Sequence, residues 1–168
     1  MKLKLNSANR GVGYAFLVCL AFWLTACSKE SYTPAEIPDI PEAENAVEVE
    51  QELMGVVNDH RISLGYSALQ YSPIAHEYAN EHNDYMIAQG DLSHDNFSAR
   101  ASGIAAEVNA EYVGENVAKD YDTASEAFQG WLNSTSHKKT MEDEFTHTAV
   151  SVKKDANGNF YFTQLFYR

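Results

Sequence analysis

The segment from Phe160 to Tyr167 restricts the fold of this chain more than any other feature. It is rich in β-forming residues, and its alternating positions are apolar on both sides. A strand that is apolar on both faces requires one layer of structure above it and another below it. The apolar residues are Phe160, Phe162 and Phe166 on one side and Tyr161, Leu165 and Tyr167 on the other.

Two further segments complete a predicted sheet. Thr146 to Lys154 is β-rich and is joined to Phe160 through Asn157-Gly158, a strong hairpin signal. Tyr112 to Ala118 has the pattern of a buried strand. We therefore predict an α+β fold, a three-layer α/β/α sandwich in which helices flank a small central antiparallel sheet.

Four helices are predicted from apolar spacing and capping residues. Ser72 is a typical N-cap before Pro73, and Thr123 with Glu126 forms a capping box. The helices are Glu44 to Ser63, a second from Pro73 that ends at Gly90, Phe97 to Val108, and a fourth after Thr123 with Ala124, Ala127, Phe128 and Trp131 on its apolar face.

The N-terminus has the three-part pattern of a secretory signal. Lys2, Lys4 and Arg10 precede an uncharged apolar run, Val12 to Leu24, which is too short for a comfortable membrane span. The small residue before Cys27 resembles the lipobox of bacterial lipoproteins. We predict that residues 1–26 are a lipoprotein signal peptide and that Cys27 carries the lipid. An ordinary signal peptide or an uncleaved anchor is the alternative.

Residues 27–43 predict a tether between that lipid and the domain. This stretch contains three of the four prolines together with acidic residues, a composition typical of a disordered linker. The folded domain is then residues 44–168. Because Cys19 leaves with the leader and Cys27 is the lipidation site, the domain has no disulfide.

The charge of the chain excludes some partners. It has 24 Asp and Glu against 12 Lys and Arg, a net charge of −12. An acidic surface argues against nucleic acid and against electrostatic docking on anionic lipid, so membrane attachment would come from acyl chains on Cys27.

The prediction is an exported cell-envelope protein with a monomeric domain. Ser28 is not the aspartate associated with inner-membrane retention in some bacteria, which favours the outer membrane.

The six histidines fall into three groups. His60 and His82 lie on apolar helical faces and are predicted to be hydrogen-bonded core residues, whereas His76 lies off the apolar stripe and is predicted to be solvated. The remaining three are at the boundaries of predicted elements, where sites usually lie. These are His94, His137 and His147.

Six short motifs in this order resemble the CAP superfamily, in particular its bacterial SCP-like branch. That superfamily contains the cysteine-rich secretory, antigen 5 and pathogenesis-related 1 proteins. The resemblance covers Glu44 to Arg168. The motifs are Asn58-x-x-Arg61, Ala79-x-x-His82 with Met86, Ser93-His94, Gly114-Glu115-Asn116-Val117-Ala118, Trp131-Leu132-Asn133-Ser134-x-x-His137 and Phe145-Thr146-His147.

The resemblance implies a large cleft lined by two histidines and two acidic residues, which binds zinc or another divalent cation in some members. By position, His94, Glu115 and His147 match three of these residues. Ser134 stands where the second acidic residue is usual, and His137 could enter the cleft in its place.

The chemistry of these residues allows two kinds of site. Neutral imidazole is a good zinc ligand, so His94, His147 and Glu115 are the predicted ligands of Zn²⁺ or another divalent cation. A buried carboxylate also favours a charged imidazolium, so a metal-free ion-pair network is the alternative. Asn58, Arg61, Asn116 and Trp131 are interpreted as structural residues.

Two functions are compatible with these residues. The favoured one is a non-enzymatic binding module that holds a small apolar, envelope or protein ligand in its cleft. The alternative is a metal-assisted, peptidase-like hydrolase in which Glu115 is the general base. The sequence has neither a His-Glu-x-x-His helix nor a Gly-x-Ser-x-Gly elbow, which counts against hydrolysis.

Overall fold

The computed structural model describes residues 2–4 and 43–168 of the chain. Apart from the backbone of residues 2–4, the predicted leader and most of the predicted tether lie outside the described residues. The elements are β1 (Lys2–Lys4), α1 (Val47–Ser63), β2 (Gln70–Tyr71), α2 (Pro73–Gln89), α3 (Phe97–Val108), β3 (Tyr112–Lys119), α4 (Ala124–Asn133), α5 (Thr135–Met141), β4 (His147–Lys154) and β5 (Phe160–Tyr167).

The described strands form one sheet in the order β1-β3-β5-β4-β2. The predicted β4–β5 hairpin is confirmed, and β5 also pairs antiparallel with β3, placing Glu115 opposite Leu165. The two-residue strand β2 was not predicted, because two residues are too few to show a period. It pairs parallel with β4, so the sheet is mixed.

The three-layer α+β architecture is confirmed, with β5 in the middle of the sheet. Phe162 and Phe166 are buried against α1, α4 and α5. Leu165 and Tyr167 are buried on the opposite face against α2 and α3, where Tyr161 packs against Met86 of α2. The helical layer on each face of the sheet therefore explains why β5 is apolar at both its odd and its even positions.

The predicted helix boundaries are confirmed within a few residues, and the caps explain why. The Ser72 hydroxyl accepts a hydrogen bond from the Ala75 amide at 3.1 Å, with Pro73 in the first turn. The Thr123 hydroxyl accepts one from the Glu126 amide at the same distance. Gly90 ends α2 with a φ of +73°, a conformation that glycine adopts without strain.

The domain has its own core within the residues that follow the predicted tether. All three apolar clusters are built from residues between 46 and 167. None of the helices in the described part of the chain is long and apolar enough to cross a membrane.

Arg61 and Asn58 connect α1 to the loop before β2 and to the loop between α5 and β4. The Arg61 side chain is 2% exposed and donates to the carbonyl oxygens of Met141 at 2.5 Å and Asp143 at 2.8 Å. Asn58 exchanges two hydrogen bonds with the backbone of Leu69. The guanidinium of Arg61 and the carboxamide of Asn58 therefore satisfy backbone groups of these loops.

We predict that Arg61→Met destabilises the domain by at least about 3 kcal/mol, because buried carbonyl groups lose a charged donor. Urea unfolding followed by circular dichroism measures this. Ile62→Ala, at a position 56% exposed on the same helix, is the control and should change the free energy of unfolding by less than about 0.5 kcal/mol. Equal effects of the two substitutions would contradict the structural role of Arg61.

Candidate functional site

Successive side chains of strand β3 point to opposite layers of the sandwich. Glu115 faces α2 and α3 and is 0% exposed, whereas Asn116 faces the side of α4 and α5. Gly114 precedes them, and a Cβ atom at this position would lie 2.8 Å from the Phe145 ring. Glycine therefore lets Phe145 pack directly onto β3, on the face of the sheet opposite to the Glu115 carboxylate.

The Glu115 carboxylate forms a two-pronged ion pair with Arg100 of α3. Arg100 Nε donates to Oε2 at 2.9 Å, and Nη2 donates to Oε1 at 2.9 Å. Arg100 is itself only 7% exposed. Parallel hydrogen bonds of this kind are the strong, charge-assisted form that a buried carboxylate needs.

His94 contacts the same carboxylate from the loop before α3. Its Nδ1 lies 2.8 Å from Glu115 Oε1, and its side chain is 34% exposed. Because an ionised carboxylate only accepts, Nδ1 carries the proton. In the neutral ring, Nε2 is then the unprotonated nitrogen.

The loop that carries His94 is held from several sides. His82 Nε2 donates to the Ser93 carbonyl at 2.9 Å, and Arg100 Nη1 donates to the Asp95 carbonyl at 2.6 Å. The Tyr85 hydroxyl donates to the Asp95 carboxylate at 3.1 Å. The position of His94 is therefore fixed by residues of α2 and α3.

His82 belongs to this group as well as to the core. Its ring is buried, stacks on Tyr85 with 6.0 Å between centroids, and has Nε2 4.0 Å from Glu115 Oε1. Its Nδ1 is buried without a hydrogen-bond partner among the described residues. We call Glu115, Arg100, His94 and His82 the Glu115 cluster.

His137 of α5 lies across from His94, with 6.5 Å between the ring centroids. Asn116 Nδ2 donates to the His137 carbonyl at 3.1 Å and so ties α5 to β3. Trp131 makes a similar link, because its indole N–H donates to the Val117 carbonyl at 3.0 Å. The structure therefore brings His94, Glu115 and His137 together beside β3.

The ionisation of these groups follows from their partners. Burial alone raises the pKa of Glu115, but the hydrogen bond from His94 and the charge of Arg100 outweigh it, so this pKa is lowered. Burial lowers the pKa of His82 despite the attraction of Glu115. Burial and then the neighbouring His94 lower the pKa of His137. At neutral pH the cluster therefore holds a carboxylate, a guanidinium and a neutral His82.

A groove opens from this cluster between α2 and α3. Its volume is 290 Å³, and His82 and Arg100 line it together with Tyr78 and Tyr85. We call it the tyrosine groove; its other lining residues are Glu81, Asn96 and Ala99. Tyr71 lies elsewhere, in a cavity beside α1 with Glu50 and His76.

The family model for the cysteine-rich secretory protein family, CAP, matches residues 54–166. The chain belongs to the CAP family. A curated relative, YlbC of Bacillus subtilis (strain 168), described as an uncharacterized membrane protein, is 28% identical over 123 residues. These residues are 70% of this chain and 34% of YlbC, so the chain spans about a third of that relative.

Solved structures of bacterial proteins share the fold. An outer surface protein from Borrelia burgdorferi has a TM-score of 0.68 at 17% identity, covering 75% of this chain and 98% of that one. An extracellular protein with an SCP domain from Bacillus anthracis str. Ames has a TM-score of 0.64 at 26% identity, covering 73% and 41%. A cysteine-rich secretory protein from Staphylococcus aureus subsp. aureus Mu50 has a TM-score of 0.62 at 15% identity, covering 76% and 40%.

The structure does not assemble the predicted metal ligands. Among the described residues, no group of three His, Cys, Asp or Glu side chains is placed to hold a metal ion. His147 is at the start of β4, where its ring stacks on Tyr167 at 4.8 Å and its Nδ1 contacts the Thr146 hydroxyl. Ser134 caps the junction of α4 and α5, where its hydroxyl contacts that of Ser136.

The contacts of the cluster are those of an ion pair. The Arg100 guanidinium donates to both Glu115 oxygens, and His94 donates to Oε1. This geometry matches the metal-free ion-pair network that the sequence left open, and the divalent cation stays a prediction.

Two cluster residues were not identified from the sequence as functional. Arg100 lies in α3 outside the quoted motifs, and only its place three residues after Phe97, on the inward face of a short helix, could have drawn attention to it. His82 was interpreted as a core residue from its helical face, and that face is indeed the one that contacts Glu115. His76, predicted to be solvated, is half-buried with Nε2 3.1 Å from Glu50.

We predict that Arg100→Met destabilises the CAP domain by about 3–5 kcal/mol at neutral pH, because it leaves a buried carboxylate without its counter-charge. The lowered pKa of Glu115 means that its stabilising contribution is present above the carboxyl pKa of the unfolded chain and is lost as pH falls through the folded pKa. The deficit of the variant should therefore shrink in acid.

Urea unfolding at a series of pH values measures both effects. The control is Lys138→Met, which removes the half-exposed cation of the surface pair with Glu142 and should cost less than about 1 kcal/mol. A deficit for Arg100→Met that stays constant down to the acid limit would show that packing, not the ion pair, carries the stability.

Proposed function

We propose that this protein is a lipid-anchored CAP-domain binding module of the bacterial cell envelope that holds its ligand at the Glu115 cluster without catalysis. One observation carries this proposal: both oxygens of Glu115 are paired with Arg100 inside the protein, while His94 above them remains a third exposed. The cluster thus presents a fixed imidazole to a ligand and keeps its carboxylate internal.

The same pairing counts against the hydrolase alternative. A general base must reach a substrate proton or a water, and it works best with a pKa near the working pH. Glu115 is fully buried, and its pKa is lowered rather than raised. A carboxylate in this state accepts protons poorly, so the ionised residue is better suited to orient His94 than to activate water.

The tyrosine groove gives the proposed ligand a place to bind. Its lining includes Tyr78 and Tyr85, which supply apolar ring faces, and the polar residues Glu81 and Asn96. Ligand sites commonly combine apolar walls with a few fixed polar groups. We therefore expect a ligand with an apolar or planar face and hydrogen-bonding groups at one end.

The place of action follows from the predicted N-terminus and from the relatives. One structural neighbour is an outer surface protein and another an extracellular protein, which supports export to the envelope. Cys27 would then hold the domain at a membrane, since acyl chains provide the anchoring that an acidic surface does not.

The binding role predicts specific crosslinking at the groove. With a photoreactive phenylalanine analogue in place of Tyr85, ultraviolet light should produce an adduct of defined mass in living cells. The same analogue in place of Tyr66, which is 42% exposed and lines a different cavity, is the control and should give none. His94→Ala should reduce the adduct at position 85 at least tenfold.

Two results would contradict this role. One is the absence of any adduct specific to position 85. The other is cleavage of casein or envelope polymers by the purified domain when Glu115→Gln abolishes the cleavage, because that outcome supports the hydrolase.

The anchor predicts a separate result. Replacing Cys27 with Ser removes the thiol that would carry the lipid in the proposed lipobox, so the variant should lose incorporated labelled palmitate. Ser28→Ala, at the next residue, should keep the label. A palmitate label on the Cys27 variant equal to that of the unchanged protein would rule out Cys27 as the lipid anchor.

A further inference from the structure

The outer edge of β3 accepts an added strand next to the Glu115 cluster. In the structure the backbone of β1 pairs antiparallel with it, Lys2 opposite Gly114, Leu3 opposite Val113 and Lys4 opposite Tyr112. The residues of this added strand alternate between basic and apolar types. They lie within the segment that we propose is removed on export.

The hydrogen bonds of β3 show which of its backbone N–H and C=O groups point to the outer edge. Tyr112 and Arg168 exchange both of their hydrogen bonds at 3.1 Å, so the N–H and C=O of Tyr112 point toward β5. Because these groups alternate along a strand, those of Val113 point to the opposite, outer edge. Val113 and Leu3 are therefore the hydrogen-bonded pair of the β1–β3 ladder.

Removal of β1 would leave this edge open. An edge strand with unpaired N–H and C=O groups is a template for another extended chain. We infer that the edge of β3 at Tyr112–Gly114 binds an extended basic peptide segment of another envelope protein as an added antiparallel strand. This inference rests on the proposed export and names the class of ligand that the binding module takes.

The direction of the added strand connects it to the cluster. Because the pairing is antiparallel, a residue N-terminal to the one opposite Gly114 lies toward Glu115. The N-terminal part of a bound peptide would thus approach His94 and His137, which lie at this end of β3. The edge and the cluster form one continuous binding surface.

Charge determines the class of peptide. The chain has twice as many acidic as basic residues, and Glu111 lies exposed just before β3. Opposite charges on the two partners speed and orient the encounter. Backbone pairing supplies the geometry, so a basic peptide with an alternating apolar residue fits this edge better than an acidic one.

The test uses the chain without residues 1–27 and a capped peptide with the sequence of residues 1–7. Calorimetry compares the plain peptide with two versions, each N-methylated at one residue. Methylation at Leu3 removes the N–H that pairs with Val113 and should weaken binding at least tenfold. Methylation at Lys4, whose N–H faces away from β3, should change the affinity less than twofold.

Two charge variants of the protein complete the test. Glu111→Lys beside the edge should weaken binding of the peptide at least threefold, whereas Glu52→Lys, exposed on α1, should leave it unchanged. Failure of the plain peptide to bind overturns the inference. Equal effects of the two methylations overturn it as well, because they would indicate charge adsorption without strand pairing.

A second copy of the chain is the competing occupant. If the leaderless chain sediments as a dimer that the peptide does not dissociate, the edge is a self-association surface and the inference is wrong. The crosslink at position 85 and the palmitate label on Cys27 do not depend on this edge, so failure here is distinguishable from failure of the proposed function.

Discussion

The ion pair between Glu115 and Arg100 is the interaction on which the organisation of the site depends. An isolated buried carboxylate costs several kcal/mol, so it persists only with a well-placed counter-charge and further hydrogen bonds. Arg100 supplies the charge, and His94 supplies another donor. The pair also fixes α3 against β3, and Arg100 holds the backbone of the loop that carries His94. A single charged contact thereby positions a helix, a strand and a loop.

This arrangement is the reason that we propose binding rather than catalysis at the site. Glu115 is fully buried and its pKa is lowered by its partners, so its carboxylate is a weak base for catalysis. His94 keeps a defined tautomer because its Nδ1 proton is directed at the carboxylate. In the neutral ring, Nε2 is then an acceptor held in a fixed direction. Such an acceptor can select a ligand by hydrogen bonding, and the neutral His82 beneath it adds no competing charge.

The sequence predicted most of the fold because the informative residues act locally. Because β5 is apolar at both its odd and its even positions, it required a helical layer on each face. Turn chemistry at Asn157-Gly158 predicted the hairpin, and cap chemistry at Ser72-Pro73 predicted the start of a helix. The site was harder to predict. Glu115, His94 and His137 were among the candidates and do meet, but Arg100 carries no motif, and its role depends on how α3 packs on β3. His147 shares the family motif, yet its ring is held by Tyr167 at the start of β4.

The position of Glu115 on β3, the strand next to β1, places the cluster near the edge of the sheet. If the carboxylate were on β5, strands on both sides would separate it from any free backbone. On β3 it follows Gly114 at the place where β1 pairs, and Asn116 brings His137 of α5 to the same edge from the other layer. The two helical layers and the β1–β3 ladder thus meet at three consecutive residues, Gly114, Glu115 and Asn116. A ligand that used only the tyrosine groove would leave this convergence unexplained, whereas an extended peptide would contact the backbone of β3 and both histidines together.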